Sequence, residues 1–424
     1  MTTTINNEHK KLNAPNLRFP EFKGEWEKCR LGKLTAKVGS GSTPKGGSSV
    51  YSSEGHCFVR SQNVGMGCLL LDDIVYINND IHKKHKSTEI KENDVLLNIT
   101  GASIGRTAIA TKEIDGGNVN QHVCIIRSNG QIDALFLCDY IQTDKIQKYI
   151  QSLQTGGSRE GLNFEQIRSF PICLPNICEQ KKISKLLSLL DERIATQSRV
   201  IEDLKKLKCA IIEDVYCSPR QHEPKRRLLG YSSPLSPYKM KDFCTRITDK
   251  NKDNKCSLVL TIAAQDGLVD QETFFNKSVA SENLTGYYIL HKGDFAYNRS
   301  YSSGYAWGAV KRLDKYEDGV LSTLYICFKI NETIVDSDYL SYYFESTKWH
   351  KGVSDISGEG ARNHGLLNIS VTDYFDTEHC FPHIEEQKRI ASMLNTLTVK
   401  EQKAMELGKL YSKQKQYLLR QMFI

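Results

Sequence analysis

The stretch from Leu174 to Cys217, LPNICEQKKISKLLSLLDERIATQSRVIEDLKKLKCAIIEDVYC, constrains the fold most. Pro175 ends whatever precedes it. Asn176 can accept from the first N–H groups of a new helix, and Glu179, three residues on, completes a start resembling a capping box. From Asn176 to Cys217 there is neither Pro nor Gly. Apolar residues recur at Ile183, Leu187, Leu190, Ile194, Ile201, Leu204, Ile211 and Val215, in alternating steps of four and three. Gln197 and Lys208 are polar members of the same series. This is a heptad seam, and it predicts packing along one long partner helix rather than into a broad core. About forty residues at the helical rise give a rod of roughly 60 Å.

The partner lies in the same chain. Laying Pro175 on Pro382 sets an offset of 382 − 175 = 207. Without a gap, Ile177 then meets Ile384, and Glu179-Gln180-Lys181 meets Glu386-Gln387-Lys388. Ile183, Leu187, Leu190 and Ile211 meet Ile390, Leu394, Leu397 and Leu418. The chain therefore carries one long helix twice, and an internal repeat sets the architecture. A heptad alone does not demand a shared Pro-x-Ile-x-Glu-Gln-Lys start. The second copy is weaker in its middle, where Glu401 and Gly408 fall near the seam.

The segments between the helices repeat as well. Residues 1–15 are polar. An aromatic-rich lead-in, Leu17-Arg-Phe-Pro-Glu-Phe-Lys-Gly-Glu-Trp26, precedes the first globular region, with Trp26 as its expected anchor. KVGSGSTPKGG, from Lys37 to Gly47, is a Gly/Ser loop that lacks the Gly-Lys-Ser/Thr of a phosphate-binding loop. Cys57–Asn63 and Asp94–Arg106 read as strands running into polar loops, Asn120–Arg127 as a strand with a polar entrance, residues 134–153 as amphipathic helix, and Gly156–Asn163 as a glycine-rich loop. Pro219, Pro224, Pro234 and Pro237 mark a linker. Beyond it, Lys292–Asn298 matches Glu92–Asn98 at an offset of 294 − 94 = 200, and Ser322–Lys329 matches Asn120–Arg127 at 322 − 120 = 202. Asn368 matches Asn163 at 368 − 163 = 205. The loops differ where the strands agree: Gly101-Ala-Ser-Ile-Gly-Arg106 stands against Ser300-Tyr-Ser-Ser-Gly-Tyr305.

The predicted fold is α+β. It has a first domain over 16–175, a long helix over 176–217, a linker over 218–235, a second domain over 236–382 and a second long helix over 383–424. The end of the first helix and the start of the second both adjoin the second domain, so the two helices must pair antiparallel. The repeat then implies a pseudo-two-fold arrangement, with two similar domains at opposite ends of a coiled coil.

Composition narrows the chemistry. A net charge of +7 permits a polyanionic partner without proving one. No run of eighteen apolar residues exists, so no membrane span is expected. The start, MTTTINNEHKK, lacks an apolar signal core, and the thirteen cysteines include no C-x-x-C; both fit a reduced, cytoplasmic setting. There is no Asn-Pro-Pro-aromatic motif, no Gly-x-Gly-x-x-Gly and no His-Glu-x-x-His, and no spacing singles out a Ser/His/Asp triad. His379, Cys380 and His383 lack an evident fourth ligand and read as a surface accident. His82 and His85, in a Lys-rich run, read as a solvated face. Neither catalysis nor a cofactor is expected in this chain.

The domain–helix–domain–helix order, the Pro-x-Ile-x-Glu-Gln-Lys start and the Leu17–Trp26 lead-in together resemble the specificity subunits of type I DNA restriction–modification systems, over about 16–424. The resemblance implies two target recognition domains, each reading one half of a bipartite site on double-stranded DNA. It also implies helices that dock two modification (methyltransferase) subunits, with ATP-dependent restriction subunits joining those. S-adenosylmethionine, ATP and Mg belong to those partners. Because the two sets of loops differ, the site should be asymmetric. The loop residues combining reach with donors are Thr43, Lys45, Arg60, Gln62, Asn63, Arg106, Gln121 and Arg159 in the first domain. In the second they are Lys250, Gln265, Arg299, Tyr301, Arg312, Arg362 and Asn363. Arg suits guanine edges or phosphates, and Gln and Asn suit adenine edges. Two other readings remain open: a self-contained methyltransferase or endonuclease, and a coiled-coil adaptor without a DNA role.

Overall fold

The computed structural model describes residues 13–154, 161–221, 223–277, 283–301, 304–358 and 365–424. The chain forms two compact units. One comprises the residues up to Ser198 together with Leu407–Ile424, and the other comprises Arg199–Glu406.

The first unit is built on a four-stranded antiparallel sheet in the order Thr35–Ser40, Val123–Ser128, Val95–Asn98, Thr107–Ile109. Every residue of Val95–Asn98 is buried, and alternate side chains enter two different cores, as the two-residue period of a strand requires. Val95, Leu97, Cys124 and Ile126 join Trp26 and the helices Ala134–Gln142 and Asp144–Ser152. Leu96, Ala108, Val123 and Ile125 face the other way, toward Val59 and Val119 of a three-stranded sheet. The single helix expected over 134–153 is broken at Thr143, whose backbone is extended and whose hydroxyl accepts from Ile146 N, capping a second helix.

The second unit repeats this plan. Its sheet runs Cys244–Arg246, Ile326–Ile330, Phe295–Asn298, Ala309–Arg312, strand for strand the same order. Phe295, Tyr297, Ile326 and Phe328 enter one core, while Ala296 and Cys327 enter another. The outer layer differs. Two strand pairs, Leu260–Ala263 with Gly267–Asp270 and Tyr288–His291 with Asp318–Leu321, stand where the first unit has its three-stranded sheet. A short lead-in strand pairs with the strand entering each long helix: Glu27–Arg30 with Pro171–Leu174, and Ser236–Lys239 with Glu378–Phe381.

The long helices span Ile177–Val215 and Ile384–Gln421. From Glu192 to Ala210 the non-exposed positions are Ile194, Gln197, Ile201, Leu204 and Lys208, the seam read from the sequence. In the first unit Leu419, near the end of the second helix, shares a core with Ile183 and Leu187 near the start of the first. In the second unit Ile212 shares one with Ile390 and Leu394. The pairing is thus antiparallel within each unit. The polar seam members answer one another: Lys208 Nζ lies 2.8 Å from Glu401, and Lys415 Nζ lies 2.7 Å from Asp191.

The shared helix start is a buried staple. Gln180 Nε2 donates to Pro175 O at 2.8 Å while its Oε1 accepts from Asp133 N at 2.8 Å. Gln387 repeats this with Pro382 O and Asp336 N, both at 2.9 Å. Glu179 accepts two bonds of 2.7 Å from Arg18 of the lead-in, and Glu386 accepts two from Arg227, at 3.1 and 2.8 Å. All thirteen cysteines are free thiols. Among the described residues no helix is long and apolar enough to cross a membrane.

Candidate nucleic-acid interface

The strand pairing decides which loops meet. In the first sheet Ser40 pairs with Cys124, Asn98 with Val123 and Leu97 with Thr107. Three loops, 41–45, 99–106 and 120–122, therefore leave from one edge. Thr100 forms a bridge with Gly161, and Leu162 N donates to Ile99 O at 2.8 Å. That places the start of the described chain after 155–160 at the same edge. Asn120 N donates to Val59 O at 3.1 Å, so the segment from Arg60 adjoins it too.

Thr43, Lys45, Arg106 and Gln121 are exposed at this edge. The Thr43 hydroxyl donates to Gln121 Oε1, and Gln121 Nε2 lies 3.0 Å from His122 Nε2. His122 Nδ1 lies 2.6 Å from Thr100 Oγ1. Ser42 Oγ lies 3.1 Å from His85 Nδ1, which brings the exposed lysines 83 and 84 beside the 41–45 loop. Thr100, His122, His85, Lys83 and Lys84 were not singled out as contacts from the sequence. The polar entrance of the 120–127 strand was the one visible signal for His122.

Three expected readers have structural duties. Asn63 is fully buried; it accepts from Arg60 N at 3.0 Å and donates to Leu70 O at 2.9 Å and to Asp73 Oδ1 at 2.7 Å. Arg60 donates to Asp73 O at 2.7 Å, and Gln62 donates to the Asp73 carboxylate. One acidic side chain therefore gathers all three. Arg159 lies outside the described residues.

In the second unit Asn298 pairs with Ala309, and Tyr297 with Ile326. The loops after Arg246, after Asn298 and before Ile326 thus share the corresponding edge, and Ser300 bridges Leu366 as Thr100 bridges Gly161. Tyr301 is 62% exposed there. Arg299 is half-buried and fastens loops, donating to Ile369 O at 2.9 Å and Leu324 O at 3.0 Å. Lys250 Nζ donates to Gly286 O at 2.7 Å and sits 4.1 Å from the centre of the Tyr288 ring. Gln265 is exposed on the separate hairpin turn between Ala263 and Gly267.

Arg312 is not brought to this edge. It pairs with Phe295, at the far end of the strands from Asn298, and its guanidinium meets Asp314 at 2.6 Å and Asp338 at 2.7 Å. Burial works against its charge, and those carboxylates more than offset it, raising its pKa. Arg362 and Asn363 lie outside the described residues.

Two histidines differ from their sequence reading. His82 is buried, not solvated; its ring stacks on His56 at 3.7 Å, and its Nδ1 lies 2.8 Å from Asn118 Oδ1. His379 is buried between Tyr343 OH and Thr377 Oγ1, both at 2.9 Å, and burial pushes its pKa down to about 3. It is therefore a neutral core side chain rather than a surface group. No group of three or more metal-ligating side chains occurs among the described residues.

Residues 23–206 match the type I restriction modification DNA specificity domain family. That stretch, less than half of the chain, is similar to the family. The specificity subunit of type I restriction enzyme MjaVIII, from Methanocaldococcus jannaschii, is 25% identical over 210 residues, 48% of this chain and 48% of that protein. The specificity subunit of type I restriction enzyme EcoBI, from Escherichia coli, is 26% identical over 135 residues, 31% of this chain and 28% of that protein. The chain thus spans about half the length of the first relative and less of the second. A crystal structure of a type I restriction-modification system S subunit from M. genitalium covers 97% of this chain, and this chain covers 99% of it, with a TM-score of 0.56 at 13% identity. The fold of a type I specificity subunit thus extends over both units, while the sequence match to the specificity domain lies in the first half.

Proposed function

We propose that the chain is the DNA-reading subunit of a type I restriction–modification complex, each unit reading one half of an asymmetric bipartite site. What carries this reading is the repetition itself: two sheets of identical strand order, each presenting from one edge a different set of polar loops. Two copies of one scaffold with unlike edges suit two different half-sites. The edge residues left for contact are Thr43, Lys45, Arg106 and Gln121 in the first unit and Tyr301 in the second, with Gln265 exposed on a separate hairpin turn. Arg106 is exposed and has no side-chain partner among the described residues, as a reader of guanine or phosphate requires.

The long helices suit the docking of modification subunits. Leu189, Leu410 and Tyr417 in the first unit, and Val200, Leu207 and Val399 in the second, are large side chains left exposed on helices whose seam is already filled. Restriction subunits would join through those partners. Methyl transfer from S-adenosylmethionine and ATP- and Mg-dependent cleavage are assigned to the partners, and this chain supplies address rather than chemistry.

The test is to exchange residues 16–175 for the same region of a relative, assemble the complex with its modification subunits, and sequence the methylated sites. One half-site should change and the other stay. A simultaneous change of both refutes one reader per half. Binding that ignores both sequence and salt, against the steep salt dependence of phosphate contacts, would favour a coiled-coil adaptor.

A further inference from the structure

We propose that Gln121 is an adenine-reading side chain of the first unit, held in its reading pose by Thr43 and His122. The inference rests on the proposal that this edge faces DNA, and adds which residue reads which base. Gln121 is exposed, one residue beyond Asn120, whose amide N is tied to Val59 O at 3.1 Å. Its amide is held from both sides. Thr43 donates to Oε1, and Nε2 donates across 3.0 Å to His122 Nε2. With Nε2 accepting, His122 carries its proton on Nδ1 and donates it to Thr100 Oγ1 at 2.6 Å. The His122 backbone is fixed in turn, its N–H donating to Asn120 Oδ1 at 3.0 Å.

The backbone builds this arrangement. Gly41 N donates to Asn120 O at 3.2 Å, and a Cβ on Gly41 would lie 1.6 Å from Val119 O. Only glycine lets the 41–45 loop lie this close to the 119–122 segment, and Pro44 is buried behind it. Thr43 is thereby set beside Gln121.

An amide anchored in this way still has a second lone pair on its oxygen and a second N–H on its nitrogen to offer. In the major groove adenine offers the complementary pair, the N6 donor and the N7 acceptor. Guanine offers two acceptors, O6 and N7, so the amide oxygen would face a second oxygen. Because the side chain is already ordered, little rotamer freedom is lost on contact.

The experiment uses the full chain in complex with its modification subunits and randomised duplex DNA, scored for base preference at every position of the site. Gln121→Met keeps length and removes both polar groups. It should lower adenine preference at one position of one half-site by about tenfold or more. Gln121→Glu leaves acceptors only and should move the preference at that position toward cytosine, whose N4 donates. Thr43→Val and His122→Ala should weaken discrimination at that same position, which a merely structural role would not single out. Undiminished adenine preference in Gln121→Met, or loss spread evenly over several positions, overturns the assignment. If Arg106→Ala still alters binding in that case, DNA reading by the edge stands and only the role of Gln121 falls. If the wild-type complex shows no base preference at all, the proposed function itself has failed.

Discussion

Arg18→Ala tests the staple that joins the lead-in to the first long helix. The Glu179 side chain is 0% exposed and that of Arg18 15% exposed. Two bonds of 2.7 Å join them, and Trp26 Nε1 adds a third to the same carboxylate at 3.3 Å. These contacts hold the Arg18 guanidinium above its ordinary pKa. Removing the arginine leaves a buried carboxylate with the indole as its remaining side-chain donor, and breaking a buried pair in this way costs about 3–5 kcal/mol. For a unit of this size each kcal/mol corresponds to roughly 2–4 °C in Tm, so the first unit should melt about 6–20 °C lower. Replacing both partners, Arg18→Met with Glu179→Leu, should recover most of the loss, since an apolar pair of similar volume is often neutral. The assay is thermal and urea unfolding of the full chain, followed by circular dichroism and by fluorescence of Trp26, which lies beside the pair. An Arg18→Ala variant that loses less than about 1 kcal/mol would refute the claim that the shared Glu is a buried anchor.

Asp139→Asn should flatten the pH dependence of the first unit's stability. Burial pushes the Asp139 pKa up to about 8, against the pull of Lys415. Its folded value lies above its unfolded value near 4, so the wild type is stabilised below about pH 4 and loses that stability as pH rises to about 8. A gap of about four units caps the effect at roughly 5 kcal/mol; parallel melting curves of variant and wild type between pH 5 and 8 would refute it. Gly41→Ala should push the 41–45 loop off the 119–122 segment, since its Cβ would fall 1.6 Å from Val119 O. Overpacking of this kind costs about 1–3 kcal/mol, and hydrogen exchange should quicken at Gly41 and in residues 120–122. Wild-type exchange there would show that the two segments do not depend on each other.

The scaffold was legible because its signals are periodic. A heptad seam announces itself every three or four residues, and even Lys208 and Glu401, polar where the pattern asks for apolar, are explained by the 2.8 Å bond between them. The shared Pro-x-Ile-x-Glu-Gln-Lys start was legible as a repeat, but its meaning was not. Nothing local says that Gln180 reaches Asp133 N, or that Glu179 meets an arginine 161 residues away. The candidate edge was legible only in part. Loop residues with donors look alike in sequence whether they face solvent or a neighbouring loop. Arg60, Gln62 and Asn63 turned out to surround Asp73, ten to thirteen residues on. Arg312 lies away from the candidate edge for another reason: a strand has two ends, and only the register, Asn298 with Ala309 and Phe295 with Arg312, tells which end it occupies. His82 was misread because its stacking partner, His56, is 26 residues away.

Comparing the two units separates what the fold needs from what it leaves free. Leu17 N bonds Gln421 O at the end of the second helix, and Arg226 N bonds Asp214 O near the end of the first, each at 2.9 Å. Leu162 N bonds Ile99 O at 2.8 Å, and Leu367 N bonds Arg299 O at 2.9 Å. These contacts recur because they join backbone to backbone or motif to backbone, and so survive changes of side chain. The chain of contacts Thr43–Gln121–His122–Thr100 does not recur. At the equivalent edge the second unit has Ser322-Thr-Leu-Tyr325 before its strand, and Arg299 binds its loops by reaching two carbonyl oxygens. The edge loops hang from strand ends whose pairing is set elsewhere, by the cores on either face of each sheet. Their polar groups can therefore change without cost to the sheet. Under the proposed function, this is the physical condition for two readers on one scaffold to diverge independently, and on that proposal exchanging one unit's edge should rewrite one half-site and leave the other as it was.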